Sequence, residues 1–197
     1  DNAYIILYGN LDADRFLGFL DERYLAPLAA KERGPLDINP LGLQAPVAPE
    51  PVVVPMATAP ENACAAVGFV IGRAAERERI VAADILMDAI MGANESPLKR
   101  ALLDAGIADD AIGYVADSVA QPFAVVSLRG ARPGAADALR AIVEAEARRL
   151  AEGGLDRELV RAALSHAEFV MRERNFGYPD GVVLAMSAMA GWLYSDD

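Results

Sequence analysis

Gly92, Ser96-Pro97 and Gly106 cut the middle of this chain into two helix-forming stretches, and that division constrains everything that follows it. The run from Arg73 to Met91 is charged at its start and apolar later, and Gly92 stops it. Ser96-Pro97 opens the next helix, with proline in the first turn, where its missing N–H has no intrahelical partner to lose. Gly106 ends that helix. Two alternating runs follow, Ile112–Val119 and Phe123–Arg129, joined near Gln121-Pro122, which predicts an antiparallel pair of strands. Ala135–Ala151 reads as an amphipathic helix, with Leu139, Ile142, Val143 and Leu150 inward and Arg140, Glu144, Arg148 and Arg149 outward, stopped by Gly153-Gly154. Asp156 then caps a long helix reaching about Arg174, whose expected buried stripe is Val160, Ala163, Leu164, Ala167 and Met171. After the turn at Asn175–Pro179 a last helix, Val182–Leu193, places Met186 and Met189 in core packing.

The first part of the chain has a different grain. Tyr4-Ile5-Ile6-Leu7-Tyr8 is a continuous apolar run, the pattern of a strand buried on both faces, and predicts a strand over Ala3–Tyr8. Asp12 caps a helix from Ala13 to about Leu28, with Phe16, Leu17, Leu20, Tyr24 and Leu28 along one face. From Lys31 to Pro60 seven prolines break any long helix, and Val52–Val54 between two of them suits a short edge strand. Ala63–Ile71 reads as a strand with Val67, Phe69 and Ile71 on one face. Hairpin strands with helices in long blocks predict an α+β fold: a two-layer sandwich, mainly antiparallel, with helices packed on one face of the sheet. The expected organisation is one domain overall: an opening strand and helix over 1–30, a Pro-rich connector over 31–60, and the remainder over 61–197.

The net charge of −11 argues against nucleic acid, which needs clustered Lys and Arg, and leaves basic partners open beside a plain gain in solubility. No stretch approaches the roughly 20 apolar residues that span a bilayer, so no membrane partner is expected. Cys64 is the only cysteine and cannot form an internal disulfide, which points to a reducing compartment; with no signal segment visible, the expectation is cytoplasmic. The opening directly on a strand reads as a fragment of a longer polypeptide.

Catalytic motifs are tested by counting. A hydrolytic zinc ion commonly needs two His and a carboxylate, and His166 is the chain's one histidine, so His-x-x-Glu-His is not available. Gly-x-Ser-x-Gly, the phosphate loop and Gly-x-Gly-x-x-Gly are missing too. His166, at the edge of an apolar stripe, reads as a structural hydrogen-bonder, and Cys64 as a small core residue. Arg172-Glu173-Arg174-Asn175 reads either as a solvated helix end or as a contact at a domain interface.

Several segments together carry a family resemblance: Tyr8-Gly9-Asn10-Leu11-Asp12, Gly92-Ala93-Asn94-Glu95-Ser96-Pro97-Leu98, Leu102–Gly106, Leu128-Arg129-Gly130, Leu150–Asp156 and Phe169–Asn175. In this order and spacing the chain resembles part of a pitrilysin/insulinase-type zinc metallopeptidase of the presequence-protease branch, and is similar to the second, zinc-less domain. The resemblance implies that residues 1–30 leave a preceding catalytic domain, that zinc is bound by a domain outside this chain, and that no catalytic or metal residue falls here. Tyr114 after Gly113 is similar to an Ala-Tyr-type strand of homologous domains, without a catalytic role. The implied function is part of the wall of a chamber that degrades unstructured peptides. The partners are then other domains of the same polypeptide and peptide substrates, with Asn94, Glu95, Ser96, Arg172 and Glu173 as candidate interface residues. The alternative is an inactive structural subunit of the same fold, similar to respiratory-complex core subunits.

Overall fold

The computed structural model describes residues 4–29, 43–45, 50–173 and 177–194. Its centre is a three-stranded antiparallel sheet of β1 (Cys64–Val70), β2 (Asp110–Ala116) and β3 (Phe123–Arg129), in the order β1-β3-β2. β2 and β3 form the expected hairpin, with Asp110 and Cys64 both opposite Arg129. Both outer strands run antiparallel to β3, so β1 and β2 point the same way. The chain joins them through α3 (Arg77–Met91) and α4 (Pro97–Asp104), a split βαβ unit with β3 inserted between its strands. Helices α5 (Ala135–Gly153), α6 (Arg157–Glu173) and α7 (Asp180–Trp192) follow.

The register puts Ala65, Leu128 and Ala111 in one row, Val67, Val126 and Gly113 in the next, and Phe69, Ala124 and Val115 in the third. These rows face the helices, because directly paired residues share a face. Leu128, Val126 and Ala111 are buried there against Met87 and Met91 of α3, Leu98 and Leu102 of α4, and Leu139 and Val143 of α5. Small residues on β2 let α3 approach closely. A β-carbon on Gly113 would lie 2.5 Å from Met87 Sδ and 2.9 Å from Met91 Cγ. α6 packs on α3, one layer further out. The two-layer arrangement, with the helices gathered on one face of an antiparallel sheet, is as the sequence predicts.

Several local expectations hold. Asp12 accepts a hydrogen bond from Arg15 N–H at 3.1 Å and starts α1 (Ala13–Leu20), which continues through a wide π turn at Asp21–Leu25 into α2 (Ala26–Ala29). Asp156 accepts from Glu158 N–H at 2.8 Å at the head of α6. Ser96 stands at the N-cap of α4 with proline next, but its hydroxyl accepts from Ala93 N–H at 3.1 Å, tying the preceding turn instead of the helix.

Others are corrected. Residues 4–8 join no ladder, so the strand expected over Ala3–Tyr8 is not formed among the described residues. Val52–Val54 make no strand either: Pro51 and Pro55 bracket them and all three are exposed. α1 presents Phe16 and Leu17 to solvent, and the π turn after it presents Tyr24, since no sheet of the described residues lies beneath them. Cys64 is exposed because it opens an edge strand and lies on the sheet face away from the helices. On α6 Ala163 is buried, with Val160 and Ala167 partly so, but Leu164 and Met171 are exposed, because the helix meets α3 through a narrower stripe. Met186 on α7 is exposed as well. The predicted connector lies partly outside the described residues; within it, Gln44 is clamped to the β2–β3 turn, its N–H donating to Gln121 Oε1 (2.7 Å) and its C=O accepting from Gln121 Nε2 (2.9 Å).

Candidate functional site

A groove of about 360 Å³ lies where α3, β2 and α6 meet. Met87, Ile85, Ala163, Ala167, Val170 and Met171 give it an apolar lining, and Asp84, Asp88, Tyr114 and His166 supply the polar groups. Asp84 and Asp88 are one helical turn apart, so both carboxylates project from one side of α3. A smaller hollow bounded by Ile80, Val81, Asp84, Val115 and Asp117 continues along the same strand. β2 pairs with β3 only, so its other backbone edge is unpaired among the described residues and borders both hollows.

The carboxylates differ in their compensation. His166 Nδ1 lies 3.1 Å from Asp88 Oδ2, at hydrogen-bond distance. Asp117 meets Arg77 Nη2 at 3.4 Å. Asp84 has no ion pair with a described residue. It sits at the exposed rim, yet neighbouring side chains remove part of its water. That partial burial, with the like charges of Asp117 and Asp88, pushes its carboxyl above the ordinary aspartate range. The groove is thus an apolar trough with one carboxylate, Asp84, left without an ion pair among the described residues, beside an unpaired strand edge. A cationic side chain relieves this charge, and extended backbone satisfies the edge.

Zinc does not fit these donors. The single imidazole is already engaged with Asp88, and among the described residues no three His, Cys, Asp or Glu side chains are grouped to hold a metal ion. No helix of the described residues is long and apolar enough to cross a membrane.

The interface residues expected from sequence adjoin the groove without lining it. Asn94 and Glu95 are exposed in the turn after Gly92, a groove residue, while Ser96 beside them is buried. Arg172 and Glu173 are exposed just beyond Met171, another groove residue, and Arg172 is paired with Glu168. Among the described residues no hydrogen bond or ion pair joins the two sets. Sequence reasoning missed Asp84 and Asp88; their i, i+4 spacing on an otherwise apolar helix half was the available signal. His166 was expected to make a structural hydrogen bond and makes one to Asp88.

A family profile described as the peptidase M16 inactive domain matches residues 1–166. The chain belongs to this family. Its second domain-like character, zinc-less and homologous to zinc proteases, is therefore as the resemblance implied. Among relatives of this M16 inactive domain, Protein HypA of Clostridium perfringens is 31% identical over 200 residues, covering 100% of this chain and 20% of HypA. Presequence protease 1, chloroplastic/mitochondrial, of Arabidopsis thaliana is 28% identical over 110 residues, 55% of this chain and 10% of that protein. The chain thus spans a small part of the length of either relative. A solved structure, the inactive peptidase domain of a protein assigned as a zinc protease from Bordetella parapertussis, shares the fold with a TM-score of 0.52 at 15% identity, over 68% of this chain and 76% of that one.

Proposed function

We propose that this M16 inactive domain is a non-catalytic part of a zinc metalloendopeptidase polypeptide and forms a wall of its peptide chamber. In this reading the groove between α3, β2 and α6 holds extended peptide. The free edge of β2 offers backbone hydrogen bonds to an added strand, and the trough beside it takes alternate side chains. The acidic rim selects a Lys or Arg at one of those positions, with Asp84 as the carboxylate that has no cation of its own. The catalytic zinc belongs to another domain, so this domain binds and orients peptide and cleaves nothing.

The observation that carries the reading is the edge of β2, unpaired among the described residues, running along a trough at whose rim Asp84 has no cationic partner among them. Its test is fluorescence anisotropy of labelled peptides of extended character against the purified protein. A peptide with Lys or Arg between apolar residues is expected to bind more tightly than its Glu counterpart, and an Asp84→Lys variant to lose that preference. Equal binding of the two peptides, or a preference untouched by Asp84→Lys, rejects the groove as the peptide site.

A further inference from the structure

We infer that the hollow between α3 and α5, on the helix side of the sheet, is a binding site for a small neutral apolar molecule of the size of one substituted aromatic ring. This goes beyond the peptide reading and does not depend on it.

The helix layer parts above the sheet. α3 packs on β2 and α5 on β1, to either side of the central strand β3. A hollow of about 250 Å³ lies in the gap. Ala124 and Val126 of β3 form its floor, Met87 and Ile90 of α3 one wall, and Val143 and Ala147 of α5 the other. Two small side chains make the space. Along β3 the helix-facing residues shrink from Leu128 through Val126 to Ala124, and Ala147 stands one turn after Val143. Phe69 is opposite Ala124 in the register and also lines the hollow, yet it stays 43% exposed, so its ring does not fill it. Glu144 and Ala147 are exposed too, and the hollow opens to solvent on that side.

The lining selects against water and against charge. A buried water needs two to four polar partners. The backbone groups of the floor are engaged in the ladders on both sides of β3, and those of the walls in their helices. Among the described residues the charged side chains at the hollow are Glu144 and Glu146, and each already has a cation. Arg140 Nε donates to Glu144 Oε1 at 2.9 Å, and Arg149 Nε to Glu146 Oε2 at 2.7 Å. A cationic ligand therefore meets no carboxylate like Asp84 here, and an anionic one meets no free guanidinium. What remains is apolar surface, which gains by covering an apolar guest. Volume sets the size of that guest. A dry apolar cavity of about 150 Å³ takes benzene, so this hollow has room for a ring with a small substituent.

The test uses iodobenzene, a neutral ring whose iodine is located by anomalous scattering, on the complete polypeptide that carries this chain. Titration calorimetry is expected to show saturable binding with a Kd of about 1 mM or tighter. Soaked crystals are expected to show an iodine peak between Ala124 and Ala147. Ala147→Leu fills the hollow with a good helix former and is expected to weaken binding by about 10-fold or more, with Tm unchanged or raised. 4-Iodobenzoate, of nearly the same shape but charged, is expected to bind more weakly by about the same factor. Should Ala147→Leu fail to fold, Ala124→Val makes the same comparison from the floor, and the crystal peak stands without either. Absence of saturable binding, binding untouched by the filling variant, or a peak only elsewhere overturns the inference. So does 4-iodobenzoate binding as tightly as iodobenzene. A peak in the hollow without saturable binding in solution is binding at crystal concentration only and also overturns it. Density for the Pro-rich connector or another part of the polypeptide filling the hollow in ligand-free crystals does the same. Each of these outcomes leaves the groove reading intact, because that reading rests on Asp84 and the edge of β2.

Discussion

In the proposed peptide groove Asp84 would set stability against binding, and that conflict gives a sharp test of the proposal. It lies mid-way along α3 with Asp88 one turn later and Asp117 close by, and its carboxyl is held above the ordinary range by partial burial and by the charges of Asp117 and Asp88. A raised folded pKa means that the native chain keeps its proton to higher pH than the unfolded chain does. Stability therefore falls as pH rises from the ordinary aspartate value of about 3.9 through the raised folded value, and the penalty is complete above that window. Asp84→Asn removes it, at nearly equal helix propensity. A like-charge i, i+4 pair costs about 0.2–0.5 kcal/mol. Asp117 adds a comparable amount, and solvent screening at this exposed rim keeps the total near 0.5–1 kcal/mol. For a chain of this size that corresponds to a rise in Tm of about 1–4 °C. The gain is expected at neutral pH, shrinks in high salt and vanishes below about pH 3.9. The same substitution weakens binding of a Lys- or Arg-bearing peptide. Thermal unfolding followed by circular dichroism across pH, beside anisotropy titrations, reads both effects. A variant that unfolds at lower temperature at neutral pH, or a gain that persists undiminished in acid, refutes this account of the rim.

Other substitutions probe the scaffold beneath the groove. Gly113→Val drives new methyls into Met87 and Met91 and is expected to cost about 1–3 kcal/mol, read as a lower urea midpoint. Leu102→Ala, at a side chain only 1% exposed in the centre of the core, is expected to cost about 2–5 kcal/mol in the same assay. Gln121→Leu breaks both hydrogen bonds to Gln44, so limited proteolysis in the Pro-rich connector accelerates while stability from urea unfolding changes by less than about 1 kcal/mol, because the pair lies at the surface.

The central α/β unit was legible because its signals are local and agree with one another. Phe123–Arg129 alternates in a strand pattern and is a strand over those same residues. Leu139, Ile142, Val143 and Leu150 face inward as their spacing predicts. Gly106, in the left-handed region at φ +64°, follows the end of α4 as a stop should. The groove was less legible. Its parts come from α3, β2 and α6, and residues separated by 78 positions, Asp88 and His166, meet only through the packing of α6 on α3. Spacing along one helix reveals that Asp84 and Asp88 share a side; no pattern in the sequence reveals what faces them.

The mistaken burials point outward in a consistent way. Phe16 and Leu17 on α1, Tyr24 in the π turn after it, Leu164 and Met171 on α6, and Met186 on α7 were expected inside and are exposed, and none belongs to the sheet or to the helices laid directly on it. An apolar period states that a face needs cover; it does not state which chain provides it. Within the central unit the cover is local, so period and burial coincide. On the outer helices the same pattern meets solvent, because no described element lies over it. Cys64 is the exception that marks the boundary of this logic. It is exposed because it stands at the start of an edge strand, on the face turned away from the helices, where the register alone decides its side.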